Sequence, residues 1–240
     1  MDYKKVARYV VLGILFFLPV TFLLFLYPAT HNYTPLDIVN ESVLDLNGFS
    51  SDSNDEIVLS DHITVLGFLG NHPLEKSITA SNLKELVYDK FKGFKRFQVV
   101  IVMPFGTEDE VESLKQEINS YEDIRFWHFV FGEPEDIQNL FKSLKGNAVL
   151  DANLATDNVF IIDKDLNQRG RLDDREDNDI AKNNPVLGLY SYNCIEVAEI
   201  KNKMSEDMRI LFTEYRQKRT GDFDSSTRRA NDLKEDDEEN

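Results

Sequence analysis

The chain has 240 residues, and 43 acidic residues against 27 basic ones give it a formal net charge of −16. This length accommodates one domain of ordinary size with appendages, and 42% hydrophobic residues are sufficient for a sizeable core. An acidic surface repels phosphate backbones, which argues against nucleic acid as a partner, and a single cysteine excludes an internal disulfide.

The first predicted element is a membrane-spanning helix over residues 9–27. This stretch of 19 residues contains no charged side chain. As a helix it would be about 29 Å long, close to the thickness of the hydrocarbon core of a bilayer. Pro19 lies inside the segment, where a kink is tolerated if the freed backbone groups find partners. Membrane lipid is therefore the expected partner of residues 9–27.

The orientation of this helix follows from the basic residues. Three of them lie within residues 1–8, and the next basic residue is Lys76. The positive-inside rule then predicts a cytoplasmic N-terminus and an extracytoplasmic remainder, which is periplasmic and attached to the inner membrane in a bacterium. A cleaved signal peptide is the alternative. Its apolar region is normally about 7–15 residues long, and residues 27–30 make a poor cleavage site, so an uncleaved anchor is favoured.

The chain after the anchor divides into three predicted parts. Residues 28–55 are rich in Pro, Asn, Asp and Ser and predict a stalk or linker. Residues 56–218 predict a globular domain. Residues 219–240 predict a disordered acidic tail, because from Gly221 onward eight acidic and three basic residues leave almost nothing apolar to bury.

Apolar runs and helical periodicities alternate along the predicted globular domain. Alternating strands and helices predict an α/β fold with a largely parallel central sheet covered on both faces. The predicted elements in chain order are a strand at 57–59, a strand at 63–69, a helix at 83–91, a strand at 99–103, a helix at 107–118, a strand at 124–131, a helix at 134–144, a hairpin at 159–172 and a helix at 200–215.

Two motifs carry a resemblance to a known family. Residues 57–73 read IVLSDHITVLGFLGNHP, and residues 159–172 read VFIIDKDLNQRGRL. With the order of elements, they resemble the thioredoxin-like fold, and more closely the SCO/SenC family of copper chaperones that help assemble cytochrome c oxidase. Residues 67–74 stand where that family has GFTxCPxxCP, and residues 160–166 stand where it has YLIDPDG. The resemblance covers residues 56–218 and implies one N-terminal membrane helix and an extracytoplasmic domain.

The reactive residues of that family have no counterparts here. The family binds copper through two cysteines in the first loop and a histidine just before the later strand. Residues 71–74 of this chain are Asn-His-Pro-Leu, and no histidine lies between Asp151 and Phe160. A soft Cu(I) site and thiol–disulfide exchange both require thiolates. The sequence therefore predicts a non-catalytic protein without catalytic residues or a cofactor, serving as an accessory factor in oxidase assembly with membrane respiratory-complex proteins as partners.

Several residues leave alternatives open. His72 lies in the loop where this fold keeps its reactive group and, with His62 or His128, is a candidate ligand in a histidine-based metal-handling or redox protein of the cell envelope. A solvent-facing loop histidine is favoured, because the four histidines have no close spacing. Residues 163–167 resemble the start of a calcium loop, but a hairpin turn explains them without an ion. Cys194 is predicted as a half-buried apolar residue. Another type of α/β envelope domain is the third alternative.

Overall fold

A computed structural model describes residues 3–26, 33–53, 55–118 and 124–221. The contacts within the chain separate it into two units, Met1–Tyr33 and Thr34–Asn240. The first unit contains helix α1, Tyr3–Leu26. Within the described part of the chain, no helix combines the length and the apolar character that a membrane crossing requires. The membrane anchor over residues 9–27 stays a prediction.

The described part of the second unit is built on a sheet of eight strands, in the order β1-β7-β6-β3-β4-β5-β2, with β8 paired to β6 outside this path. Strands β3, β4 and β5 run parallel, whereas β6 is antiparallel to β3 and β7 is antiparallel to β6. The strands are β1 Asp37–Asn40, β2 Ser50–Ser51, β3 Ile63–Phe68, β4 Phe97–Pro104, β5 Trp127–Gly132, β6 Asn158–Ile162, β7 Gln168–Gly170 and β8 Tyr192–Asn193.

Helices cover both faces of this sheet. They are a 3₁₀ turn Pro73–Lys76, α2 Ser77–Leu83, a π-helical segment Lys84–Tyr88, α3 Asp89–Phe91, α4 Glu108–Ile118, α5 Pro134–Lys142, α6 Asp177–Ala181, a π-helical segment Glu199–Met204 and α7 Ser205–Thr220. Alternate residues of β4 face opposite cores, as the strand period of two requires: Val99 packs with residues of α2, α4 and α7, and Val100 packs with residues of α5.

The middle of the sheet has the thioredoxin-like arrangement. Strand β3 continues through α2 and α3 into its parallel neighbour β4, and the hairpin of β6 and β7 adds on the other side of β3 before α7 closes the domain. Parallel neighbours joined by a helix and a buried central strand are what the apolar runs predicted. The prediction of an α/β, thioredoxin-like central sheet with flanking helices is therefore confirmed.

The predicted stalk needs correction from Thr34 onward. Strand β1 pairs with β7, and β2 pairs with β5, so the segment 34–51 belongs to the sheet and not to a linker over 28–55. Four of its apolar residues are buried at the sheet edge and beneath the adjoining loops. They are Leu36, Val39, Val43 and Leu46. The folded domain therefore begins some twenty residues earlier than the predicted boundary at residue 56.

The strand predicted over residues 57–59 is also wrong. This stretch is a loop, and its apolar pattern arises because Leu59 is fully buried. The loop is held by the Asp45 carboxylate, which accepts hydrogen bonds from the amides of Leu59 at 2.7 Å and Leu46 at 2.8 Å. Burial alone would raise the pKa of Asp45, but these amide bonds lower it overall. At the other end of the chain, residues 222–240 of the predicted tail lie outside the described residues.

Candidate functional site

The chain leaves the sheet after β3 through a tight glycine turn. Gly70 has a φ of +68°, and a Cβ added to it would lie 2.2 Å from the carbonyl oxygen of Asn153. Both features require glycine. The Asn71 amide donates to the Asn153 carbonyl oxygen at 2.8 Å, and the Thr156 amide donates to the Phe68 carbonyl oxygen at 3.0 Å. The loop after β3 is therefore fixed against residues 151–157.

This contact brings together the two loops that the family resemblance selects. One is the loop at residues 70–74, and the other is the stretch before β6 in which the family places its histidine. The resemblance places the reactive residues of the family in these two loops, and in this chain their backbones are hydrogen-bonded to each other. The two loops thus form the backbone of the site, and its chemistry depends on the side chains that they carry.

The polar side chains on this scaffold form an ion-paired cluster. The Lys76 ammonium lies 3.0 Å and 3.1 Å from the two carboxylate oxygens of Asp157, and the Thr79 hydroxyl donates to Asp157 Oδ1 at 2.6 Å. All three are buried or half-buried. Because the cation compensates the carboxylate, the cluster fixes the start of α2 against the start of β6. It holds no unpaired base or nucleophile, and the sequence analysis did not single it out.

The three histidines in the described part of the chain are not gathered at this site. His72 has 53% of its side chain exposed, and its Nδ1 lies 3.7 Å from Glu110 Oε1. His62 precedes the first residue of β3 and His128 lies within β5 beside Val100, whereas His72 follows the opposite end of β3. Among the described residues, no group of three or more His, Cys, Asp or Glu could hold a metal ion. His72 is thus placed apart from the two histidines proposed to assist it.

Cys194 lies directly beneath the cluster. Its amide donates to the Asp157 carbonyl oxygen at 2.8 Å, and its own carbonyl oxygen accepts from the Asn82 side chain at 2.9 Å. The residue is fully buried and not half-buried as predicted. Burial, reinforced by the charges of Asp157 and Glu199, raises the pKa of the thiol far above its ordinary value. A thiol held in the neutral form is a poor nucleophile and a poor metal ligand.

Residues 163–167 form a hairpin turn and use their carboxylate for the fold. Asp163 Oδ1 accepts from the amides of Asp165 and Asn167, each at 2.9 Å, and its Oδ2 accepts from Arg169 at 3.0 Å. These hydrogen bonds explain the acidic motif at residues 163–167, because the Asp163 carboxylate satisfies backbone amides within the turn. The observed geometry is that of a hairpin turn, as the favoured interpretation of the sequence predicted.

A buried charge network behind this hairpin escaped the sequence analysis. Arg169 is fully buried and donates to the carboxylates of Asp163 and Glu214, both of which are also buried. Burial alone would lower the pKa of the Arg169 guanidinium, but Glu214 and Asp163 raise it, so the side chain is charged. Arg171, two residues on, pairs with Asp207 at 2.8 Å. The sequence contains one indication of this network. Arg169 and Arg171 are two residues apart, and this spacing places both side chains on one face of the strand.

The fold and this loop define a thioredoxin-like domain whose reactive loop carries no thiol. No protein-family model matches the chain, and no curated protein matches it in sequence. Among solved structures, the fold is similar to BsSco of the Sco family of cytochrome c oxidase assembly proteins, with 12% identity and a TM-score of 0.48 over 75% of this chain and 99% of that one.

Two further solved structures are of the same class. The soluble domain of Sco1 from Bacillus subtilis has 11% identity and a TM-score of 0.42, over 72% of this chain and 92% of that one. The thioredoxin domain of a thiol-disulfide oxidoreductase from Bacteroides vulgatus has 13% identity and a TM-score of 0.35, over 63% of this chain and 96% of that one. These three neighbours are two Sco proteins and the thioredoxin domain of an oxidoreductase. At such low identity, the activity of this chain has to be argued from its own residues.

Proposed function

We propose that this protein is a non-catalytic, SCO-like accessory factor that binds partner proteins at the respiratory membrane during assembly of cytochrome c oxidase. The observation that carries the proposal is the absence of thiols from the two loops of the site. The two loops keep their mutual backbone contacts, but Asn71 and His72 stand in the loop where a thiol would be needed, and an ion pair between Lys76 and Asp157 lies behind it. Such a loop can present a surface, but it has no thiol for disulfide exchange or for a soft Cu(I) site.

A surface suited to protein contacts adjoins this loop. Two segments converge on Asp157: one begins α2 and carries Leu74 and Ile78, and the other follows β8 and carries Ile195 and Val197. These four side chains, here called the loop face, are 38%, 66%, 45% and 47% exposed, respectively. Exposed aliphatic side chains beside a polar rim are typical of protein-binding surfaces.

The membrane anchor is the second part of the proposal. Its support is the sequence: 19 uncharged residues at 9–27, preceded by basic residues and followed by none before Lys76. We expect the full chain to stay with membranes after extraction with alkaline carbonate. We also expect protease added outside the cytoplasmic membrane to digest the domain from Thr34 onward. Release by carbonate, or protection of the domain until the membrane is permeabilised, would contradict this part.

The interaction itself is tested by affinity purification of the full chain from detergent-solubilised membranes. Recovery of oxidase subunits is the expected result, and the double variant Ile78→Ser/Ile195→Ser should weaken binding by about thirtyfold, because truncating central apolar contacts costs about 1 kcal/mol or more each. Leu44→Ser, which alters a side chain that is 50% exposed outside the loop face, is the matched control. Absence of oxidase subunits, or equal recovery with both variants, would refute the assembly role.

The non-catalytic part is tested by titrating the purified full chain with Cu(I) against a chromogenic chelator. We expect no stoichiometric binding at sub-micromolar affinity. Asn71→Cys/Glu75→Cys supplies two thiols four residues apart in the same loop and serves as the positive control for soft-metal binding. If the unaltered chain binds copper tightly and His72→Ala abolishes that binding, the histidine-based metal-handling function replaces the proposal.

A further inference from the structure

A groove of about 740 Å³ lies at the end of β3 opposite to the loop at residues 70–76, because Ile63, the first residue of the strand, lines it. Its walls come from the segment before β4, the hairpin turn after β6 and the last turns of α7. Six of its side chains are cationic, and we call the site the basic groove. They are Lys95, Arg96, Lys164, Arg216, Lys218 and Arg219.

The charge of the basic groove is opposite to that of the whole chain. Among the described residues, two carboxylates, those of Asp61 and Asp165, line it beside the six cations, whereas the chain carries a formal net charge of −16. Asp61 is paired with Arg96 at 2.6 Å, Asp165 accepts a hydrogen bond from the Tyr215 hydroxyl at 3.2 Å, and Lys218 is paired with the buried Glu214 at 2.8 Å. The lining therefore keeps a clear positive excess after its own carboxylates are matched. In a concave site, such an excess attracts and holds anions.

Three of these cations have no partner in the described part of the chain. Lys95, Arg216 and Arg219 are exposed and make no ion pair among the described residues. Cations that repel one another raise the free energy of a surface unless an anion compensates them. The Arg216 and Arg219 positions are three apart on α7, so both side chains lie on one side of that helix. An extended chain with several carboxylates matches this spacing better than a single small anion.

Aromatic rings orient part of the lining. Phe94 stacks on Phe212 with 4.2 Å between ring centroids and remains 37% exposed. The ammonium groups of Lys164 and Lys218 lie 5.2 Å and 4.6 Å from the centroid of the Tyr215 ring. Contacts between ammonium groups and a ring restrict the side chains before any ligand arrives. The basic groove is therefore a preorganised site for a peptide with negative charge.

We propose that the basic groove binds a run of carboxylates in an extended peptide, and that its occupant is the segment Glu235–Glu239 of the same chain. That segment is Glu-Asp-Asp-Glu-Glu, five consecutive carboxylates. It belongs to residues 222–240, which lie outside the described residues. Charge complementarity is the first reason for choosing it, since a run of carboxylates is opposite in sign to a groove whose six cations outnumber its two lining carboxylates by four.

Reach is the second reason. Helix α7 ends at Thr220, and Gly221 follows with a φ of +82°, which turns the chain away from the helix axis. Lys218 and Arg219 in the last turn already line the groove. Glu235 is fifteen positions after Thr220, and a chain of that length reaches up to about 50 Å. A tethered segment is present at an effective concentration on the order of millimolar, so an acidic partner or a second copy would have to compete with it.

Carbodiimide cross-linking of the full chain in detergent tests this proposal. The reagent joins a lysine ammonium to a carboxylate as an amide and takes up the water that is released, so it records ion pairs. Mass spectrometry should find residues 235–239 joined to Lys95, Lys164 or Lys218. The yield should fall by about fivefold in 0.5 M salt, because exposed ion pairs are screened at that ionic strength.

Matched variants make the result specific to the groove. Arg216→Ala/Arg219→Ala keeps the reactive lysines and good helix formers, so α7 should stay folded, and it should also lower the yield by about fivefold. Lys182→Ala/Lys201→Ala removes two exposed cations that do not line the groove and should leave the yield unchanged. No links, or equal links in both variants, would overturn the proposal.

The identity of the occupant is tested by mixing unlabelled and ¹⁵N-labelled chains before cross-linking. Links within one chain are expected, whereas links between labelled and unlabelled chains would show that a second copy fills the groove. A free peptide with the sequence of residues 235–239 should bind poorly to the full chain and at least tenfold more tightly to a chain ending at Gly221, because the tethered competitor is then gone. Equal binding to the two chains would show that the groove is empty in the full chain, against the proposal.

Discussion

Replacement of Arg169 by methionine tests what the buried charge network contributes. Arg169 is inaccessible to solvent and donates to two buried carboxylates, those of Asp163 and Glu214. It also donates to the carbonyl oxygen of Asp37 at 3.3 Å and to that of Leu36, so it fixes the strand β1 at the edge of the sheet. Methionine has a similar length but no donor, so the substitution leaves the carboxylates and both carbonyl groups without their cation.

The magnitude follows from what remains after the substitution. Asp163 keeps its hydrogen bonds from the amides of the hairpin turn, but Glu214 is left with Lys218 at 2.8 Å as its ion-pair partner. Removing one partner of a buried ion pair destabilises a protein by about 3–5 kcal/mol, because an uncompensated charge stays buried. We therefore expect Arg169→Met to lower the free energy of unfolding by that amount.

Urea denaturation of the unit from Thr34 onward measures this change. The single tryptophan, Trp127, is buried in β5 and reports unfolding by its fluorescence. The double variant Arg169→Met/Glu214→Gln also neutralises one of the two buried carboxylates that lose Arg169, so it should recover about 2 kcal/mol or more of the loss although Asp163 stays without its cation. A loss below about 1 kcal/mol for the single variant, or no recovery in the double variant, would refute the reasoning.

Three further predictions concern the loop, the histidine of β5 and the buried thiol. Gly70→Ala should destabilise the domain by more than about 2 kcal/mol, because residue 70 has a positive φ and the added Cβ would clash with Asn153. Gly48 has a φ of +88° but no neighbour within 4 Å of an added Cβ, so Gly48→Ala should cost only about 1 kcal/mol. Equal losses of unfolding free energy for the two variants in urea would argue against the tight turn. Burial lowers the pKa of His128 below its ordinary value of 6.5, so the unfolded chain binds more protons and stability should fall as the pH drops through 6.5. His128→Gln should flatten that part of the profile of unfolding free energy against pH. Cys194 should react with a thiol reagent at least about 100-fold more slowly in the folded chain than in urea, and rapid labelling of the native protein would contradict its burial.

The central sheet was predictable because its strands are long and uniformly apolar. β3 and β4 are buried along their whole length, and an uninterrupted apolar run is the pattern of a parallel strand covered on both faces. The two edge strands were not predictable in the same way. β1 is four residues long and β2 is two, too short for an alternating pattern to stand out against a segment rich in Asn, Asp and Ser.

The site was predicted at the level of its backbone and missed at the level of its side chains. The motif around Gly67–Pro73 located the loop, and the absence of thiols could be read directly from the sequence. The pair formed by Lys76 and Asp157 joins residues 81 positions apart, so no local pattern could reveal it. The partner of Arg169 is 45 residues away on α7, and a glutamate inside a helix gives no sign that it will be fully buried.

A single stretch of chain closes both edges of the sheet. Strand β1 covers β7 at one end of the strand order, and β2, only a few residues later, covers β5 at the other. Unpaired edges of long apolar strands act as templates for intermolecular pairing and aggregation. Deleting the residues before Asp52 would therefore uncover the largely apolar strand β5 together with the short polar strand β7, and a fragment begun there should self-associate through β5 even though it keeps every central strand. This N-terminal stretch protects the solubility of the domain.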